Sequence, residues 1–295
     1  VSTSVVPTGP VSTDPTPIPR TPSPDLVARP RRYLVCEPRH FTVRYAINPW
    51  MRQDTEVDTA LAGRQWAALV RAYRDHGHVV QCVEPVAGLP DMVFSANAAL
   101  VLAGRVFGSR FHAPQRQPET AAYEAWFAAA GYDVHRSESK CEGEGDLIPA
   151  GRFILAGTGF RTARAAHHEA QEFFGVPTIG LQLVDPYFYH LDTALFVLDD
   201  ASGRENIAYY PAAFSAGSRA VLRRLFPRAV IASRADAMAF GLNSVSDGRH
   251  VFIAPQAGGL IAQLAARGYV PVPVDLSELL KAGGGIKCCT QEVRP

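Results

Sequence analysis

Five times in 295 residues the chain repeats one pattern, and no other feature constrains its fold as strongly. Apolar residues recur at helical spacing, an abrupt stop follows, and then comes an extended apolar run. Ala62, Trp66, Leu69, Val70 and Tyr73 form the first stripe, Gly77 stops it, and 78–83 is strand-like. The pattern returns around Tyr123, Trp126, Phe127 and Ala130 with a stop at Gly131. It returns around Ala166, Ala170, Phe173 and Phe174 with a stop at Gly175. Leu222, Leu225 and Phe226 lead to Pro227, and Leu260, Ile261 and Leu264 lead to Gly268. Glycine suits the left-handed residue that ends a helix, which explains why it recurs at the stops.

The intervals between stops are 54, 44, 52 and 41 residues. Further strand-like runs lie between them, at 98–108, 152–157, 194–198, 206–210 and 250–254. Each unit therefore predicts strands plus one helix. Five such units in about 265 residues predict an α/β ring of equivalent units rather than two domains. The competing reading is a plain α/β sandwich with coincidental spacing.

The polar residues weigh against coincidence. Asn97, Asp146, His190, Asn243 and Cys288 follow their stops by 20, 15, 15, 16 and 20 residues. Asp91 joins the first cluster, Glu142 and Glu144 the second, and Asp192 the third. In a ring of equivalent units these clusters converge at one mouth of the axis. That would gather a thiol, an imidazole and several carboxylates.

Residues 1–30 stand apart. Eight prolines among Ser and Thr leave too little apolar surface to offset ordering, so 1–30 is expected to be a mobile tail and 31–295 a single domain. It has no apolar central region like that of a secretory signal. Net charge is +1, which offers neither a basic field for nucleic acid nor a polybasic membrane anchor, and no apolar run approaches a spanning helix. The five cysteines are odd in number and scattered, so a disulfide framework is not expected and a cytoplasmic location fits. Cys36 and Cys82 are expected in the core. Cys288, beside a glycine turn and Lys287, is a candidate reactive thiol.

A cysteine with a histidine and carboxylates suits nucleophilic catalysis through a covalent thio-intermediate. One carboxylate is enough to orient a histidine. The others suit a planar cationic group with several donors, and guanidinium is the obvious match. His167-His168-Glu169 lacks metal-site spacing, and Gly157-Thr-Gly159 lacks the third glycine of a dinucleotide loop and is expected to be a turn. No metal and no cofactor is expected, and the partner is a small-molecule substrate; a homo-oligomer is compatible with the sequence.

The motifs resemble those of the guanidine-modifying, or pentein, superfamily. Gly284-Gly-Ile-Lys-Cys288-Cys-Thr290 resembles its nucleophile motif, His190-Leu-Asp192 its His-x-Asp motif, and Glu142-Gly-Glu-Gly-Asp146 its acidic turn. Pro90-Asp91-Met-Val-Phe94-Ser-Ala-Asn97-Ala98 resembles its first substrate loop. Arg110 to Glu119 resembles the segment that supplies an arginine, here Arg116, for a substrate carboxylate. The match runs in order from about residue 33 to 294. The resemblance implies a five-bladed ββαβ propeller with Cys288 as nucleophile, His190 as general acid/base and Asp192 on the guanidinium. Glu142 or Asp146 would partner His190; Asp146 is favoured, with Glu142 in support and Glu144 pointing away. Asn97, Phe94, Asp91, Arg110, Arg116 and Asn243 complete the expected substrate site.

Asn97, with 36–41 and 45–51, resembles the arginine dihydrolase branch, which takes arginine to ornithine, carbon dioxide and ammonia. A neutral amide can hydrogen-bond the oxygen of a ureido group that a carboxylate would repel. Dimethylargininase, yielding citrulline and dimethylamine, is the close alternative. An amidinotransferase and a non-catalytic arginine binder follow.

Overall fold

Each stop named above ends a helix in the computed structural model, which describes residues 26–53 and 55–295. Helix α1 (Thr59–Asp75) precedes β2 (Val79–Val83), and α2 (Glu119–Ala129) precedes β5 (Val134–Arg136). Helix α3 (Arg164–Phe174) leads to β8 (Thr178–Gln182), α4 (Ala216–Leu225) to β11 (Val230–Ile231), and α6 (Gly258–Ala266) to β14 (Val270–Pro273). Gly175 caps α3 in the left-handed region, φ 68°, and Gly77, Gly131 and Gly268 have the same sign of φ. Asp58 and Ser215 cap the starts of α1 and α4 by accepting from Leu61 and Ser218.

The strand after each helix pairs in parallel with the strand before it. These middle strands are β1 (Arg32–Cys36), β4 (Arg105–Gly108), β7 (Phe153–Thr158), β10 (Asn206–Tyr209) and β13 (His250–Ile253). Parallel pairing needs a crossover, and the helix supplies it. Each middle strand then pairs antiparallel with an inner strand: β15 (Gln291–Glu292), β3 (Ala99–Leu102), β6 (Leu147–Ala150), β9 (Leu195–Asp199) or β12 (Val245–Ser246). Among the described residues the result is five three-stranded sheets, each a ββαβ unit, as the resemblance implied. Two short helices, α5 (Arg234–Met238) and α7 (Ser277–Leu280), interrupt loops.

Inner strands are the most buried. Strand β6 exposes nothing, whereas outer strands β2 and β14 leave Val79 and Val270 in solvent. This gradient corrects one expectation: Cys36 lies in the core, but Cys82 is exposed because β2 is an outer strand. Gly157 lies within β7 rather than in a turn. One blade joins distant parts of the chain, with Tyr33 of β1 opposite Glu292 of β15.

The expected tail divides. Residues 1–25 lie outside the described residues. From residue 26 the chain is held: Leu26 packs on the core, and Arg29 pairs with Asp199 and Asp200 at 2.6 and 2.7 Å. Its backbone N–H donates to the Asp247 carbonyl. Residues 26–30, expected to belong to the tail, are thus held against the domain. No helix among the described residues is long and apolar enough to cross a membrane.

Candidate active site

The polar clusters occupy the turns that lead into the five inner strands. Asn97 sits on a 3-10 turn before β3, Glu142 to Asp146 before β6, His190 and Asp192 before β9, Asn243 before β12 and Cys288 before β15. The glycines of these turns permit close packing. A Cβ on Gly284 would lie 2.2 Å from the Phe94 ring, and one on Gly145 would lie 2.4 Å from Asn97 Nδ2 and 3.3 Å from the His190 ring. The Gly-Gly before the nucleophile is thus a packing requirement.

Around Cys288 the contacts are short. Its Sγ lies 3.3 Å from Asp192 Oδ2, and Asn243 Nδ2 donates to Sγ at 3.1 Å. Asn243 Oδ1 accepts the Cys288 N–H at 3.1 Å, so one amide holds both ends of the nucleophile. His190 Nε2 meets Glu142 Oε2 at 2.7 Å. Glu142 also accepts from Arg161 Nη1 at 3.1 Å and from the His112 N–H at 2.9 Å.

This corrects the expectation that Asp146 partners His190. Asp146 Oδ1 instead accepts the Leu191 N–H at 3.0 Å, and its carbonyl accepts from Gly157. It braces the backbone beside His190, while Glu142 takes the imidazole. The 3-10 turn at Gly143–Gly145 separates the two carboxylates in this way. Glu144 points away as expected: it is buried against Lys287 at 2.7 Å and Arg294, and it accepts the Glu292 N–H of β15.

A pocket of about 260 Å3 joins Cys288 to Asp91, Phe94, Asn97 and Arg116. Arg116 is buried; it pairs doubly with Glu119, and its Nη1 donates to Asn97 Oδ1 at 2.6 Å. Its Nη2 reaches the carbonyls of Asp91 and Phe94. Asp91 accepts the Tyr45 hydroxyl at 2.8 Å. Arg110 is the expected residue that does not belong: it is exposed, bonds the Ser137 carbonyl and lies outside this pocket.

Sequence reasoning missed other lining residues, including Ile47, Asn48, Met51, Arg161 and Tyr189. Arg161 stacks over Tyr189, 4.8 Å from the ring centroid, and donates to the Ile47 carbonyl at 2.6 Å. Asn48 bonds the Ala282 carbonyl and Trp50 the Tyr187 carbonyl, so 45–51 is strapped across the pocket. One signal for Arg161 was available, because like Arg116 it follows the middle strand of its blade.

Burial and neighbours set the protonation states. Burial and then Asp192 push the Cys288 thiol well above its ordinary value. Burial lifts Asp192 to about 6 against the pull of His190 and Lys287, and burial also raises Asp91 and Asp146. Burial works on Glu142 too, but Arg161 and His190 outweigh it and hold that carboxyl below the usual range. Asp91 Oδ1, Asp192 Oδ1 and His190 Nδ1 are buried with no hydrogen-bond partner among the described residues. Unpaired buried acceptors beside a thiol define a space shaped for a cationic donor.

No protein-family model matches the chain. It is 48% identical over 267 residues to an N(G),N(G)-dimethylarginine dimethylaminohydrolase of Mycobacterium tuberculosis, covering 90% of this chain and 87% of that one. It is 37% identical over 269 residues to the bifunctional arginine dihydrolase/ornithine cyclodeaminase AgrE of a Nostoc species, of which it spans 38%. Among solved structures, the substrate-bound N-terminal domain of the cyanobacterial arginine dihydrolase ArgZ superposes with a TM-score of 0.85 at 35% identity, covering 90% of this chain and 98% of that one. A dimethylarginine dimethylaminohydrolase adduct with S-methyl-L-thiocitrulline shares the fold at a TM-score of 0.76 and 19% identity, covering 90% of this chain and 100% of that one.

Proposed function

The chain belongs to the family of dimethylarginine dimethylaminohydrolases and arginine dihydrolases, hydrolases of guanidino C–N bonds, and on that premise we propose that it converts dimethylarginine to citrulline and dimethylamine. The observation that carries the chemistry is the pair of unpaired buried oxygens on Asp91 and Asp192 around the Cys288 thiol. They fit the N–H groups of a guanidinium held over the nucleophile. The near full-length identity to the mycobacterial relative supports the dimethylated substrate. Ile47, Met51 and Phe94 in the lining offer apolar contact for its methyl groups. This moves the preference away from arginine, which the sequence motifs favoured.

The proposed steps follow from the contacts. The bound cation offsets the carboxylate beside Cys288 and lowers the proton affinity of its sulfur, and the thiol proton passes to His190. The thiolate attacks the guanidinium carbon and forms a C–S bond. His190 protonates the departing nitrogen as the C–N bond breaks, releasing dimethylamine and leaving an S-alkylthiouronium. His190 then takes a proton from water, whose oxygen attacks the same carbon; the hydroxyl of that adduct gives its proton to solvent as the C–S bond breaks, leaving the ureido oxygen and returning the thiolate. Glu142 stabilises the imidazolium at each transfer. Arg116 and Arg161 supply cationic groups for the α-carboxylate.

A second reading, arginine dihydrolase, is favoured by Asn97. Arg116 occupies its Oδ1, so its Nδ2 is the free end, with only a long 3.4 Å contact to the Glu142 carbonyl. That donor suits the oxygen of a ureido group undergoing a second hydrolysis. Incubation with asymmetric dimethylarginine, monomethylarginine, arginine, agmatine and citrulline, followed by mass spectrometry of every product, tests both. Citrulline with dimethylamine supports the first reading, and ornithine from arginine supports the second. No turnover of any guanidine, with Cys288→Ser indistinguishable from wild type, would overturn both.

A further inference from the structure

Arg110, left out of the Cys288 pocket, lines a surface groove of about 730 Å3 with Arg136, Lys140 and the first turn of α2. Among the described residues no carboxylate lies within ion-pair distance of Arg110 or Lys140. Arg136 is paired with Glu124. Arg110 spends only its Nε, on the Ser137 carbonyl, and Lys140 only one proton, on the Phe111 carbonyl. No side chain caps α2, an 11-residue helix whose Thr120 and Ala121 line the same groove. The one acidic residue in that turn, Glu119, is held by Arg116. The Glu119 and Thr120 N–H groups are taken by the Arg116 and Gln117 carbonyls, so what the helix end adds to the two cations is its dipole. Ser109, also in the lining, is fully buried, and its hydroxyl has no hydrogen-bond partner.

We propose that this groove is a second binding site, for a small polyanion of the phosphate or pyrophosphate class. A concave wall with two available cations, a helix N-terminus and an unsatisfied hydroxyl matches an anion with several acceptor oxygens. The site is joined to the catalytic centre through the backbone. Arg110 and Cys141 exchange N–H to carbonyl bonds at 3.0 Å in both directions, and Cys141 precedes Glu142. Two residues beyond Arg110, the His112 N–H holds Glu142 Oε1. An anion drawn onto Arg110 pulls on the stretch that fixes the partner of His190.

Calorimetric titration of inorganic phosphate and pyrophosphate, at matched ionic strength, tests the site. The full chain carrying Cys288→Ser and saturated with asymmetric dimethylarginine serves as the receptor, so that Arg116 and Arg161 are shielded from the anion. Saturable binding of at least one of the two anions is expected. The added double substitution Arg110→Ala/Lys140→Ala should weaken it about tenfold or more, the scale of losing charge-assisted hydrogen bonds. Both residues are at the surface, and Ser109→Ala provides a second, uncharged variant expected to weaken binding severalfold. Absence of saturable binding, or equal affinity in the double variant, would overturn the proposal.

Discussion

Asp192→Asn should drive two properties of Cys288 in opposite directions. The Asp192 carboxylate lies 3.3 Å from Sγ in a fully buried setting, where burial and this charge keep the thiol protonated. At that separation and an effective dielectric of about 20, a thiolate and a carboxylate repel by about 5 kcal/mol. Even about a third of that is a tenfold change in thiolate population. Asparagine keeps the shape and removes the charge. In substrate-free enzyme at about pH 7.5, alkylation of Cys288 by iodoacetamide should therefore accelerate roughly tenfold or more. Peptide mass spectrometry reads this site by site, and exposed Cys82 provides an internal reference rate. Meanwhile kcat/KM for the guanidine substrate should fall by about a hundredfold, because the cation loses a charged acceptor worth about 1.5–3 kcal/mol. If Cys288 alkylates no faster in the variant, Asp192 does not hold the thiol protonated and the reasoning fails.

Four further outcomes are expected. Glu142→Gln should lower kcat by about 10²–10⁴ with the fold intact, since His190 loses its anionic partner; steady-state kinetics with circular dichroism checks this. Because Asp192 titrates near 6 and must be ionised to hold a guanidinium, kcat/KM should rise with pH through about 6, and that limb should vanish in Asp192→Asn. Glu144→Gln should cost about 1.5–3 kcal/mol in urea unfolding, because it removes the buried carboxylate that pairs half-buried Lys287 and Arg294. The folded Glu144 carboxyl sits below its unfolded value, so this gap should be full above about pH 4.3 and close as pH falls toward the depressed value. A chain starting at Arg31 should melt at a lower temperature than one starting at Leu26, because it lacks Leu26 and the Arg29 pairs.

The periodic features were legible in the sequence because they are repeated. Four glycines and one proline mark helix ends that the structure reproduces, and the similar offsets of Asn97, His190, Asn243 and Cys288 correspond to turns at one end of the inner strands. What escaped reading lacks a period. Glu142 and Asp146 are four residues apart on a tight turn, and only its dihedral angles decide which carboxylate meets the imidazole. Arg110 and Arg116 lie on an irregular loop where spacing carries no directional information. Arg161 and 45–51 come to the pocket from remote segments, joined by a bond between Arg161 and Ile47 across 114 residues. Cys82 alternates like a core residue, but its strand lies at the outer rim.

The pairing of Tyr33 with Glu292 has a kinetic meaning. The blade that carries the nucleophile is the one stitched from both far ends of the described body, its paired positions lying 259 apart in the chain. Closing a loop of that length in a flexible chain costs about 5 kcal/mol in entropy, so contacts of this range form late. Cys288 lies three residues before β15. A folding intermediate with four blades assembled would hold Asn97, Glu142, His190 and Asn243 and still be inert. Regained turnover during refolding would thus time the last strand's arrival, and nascent chains would carry no premature hydrolase activity.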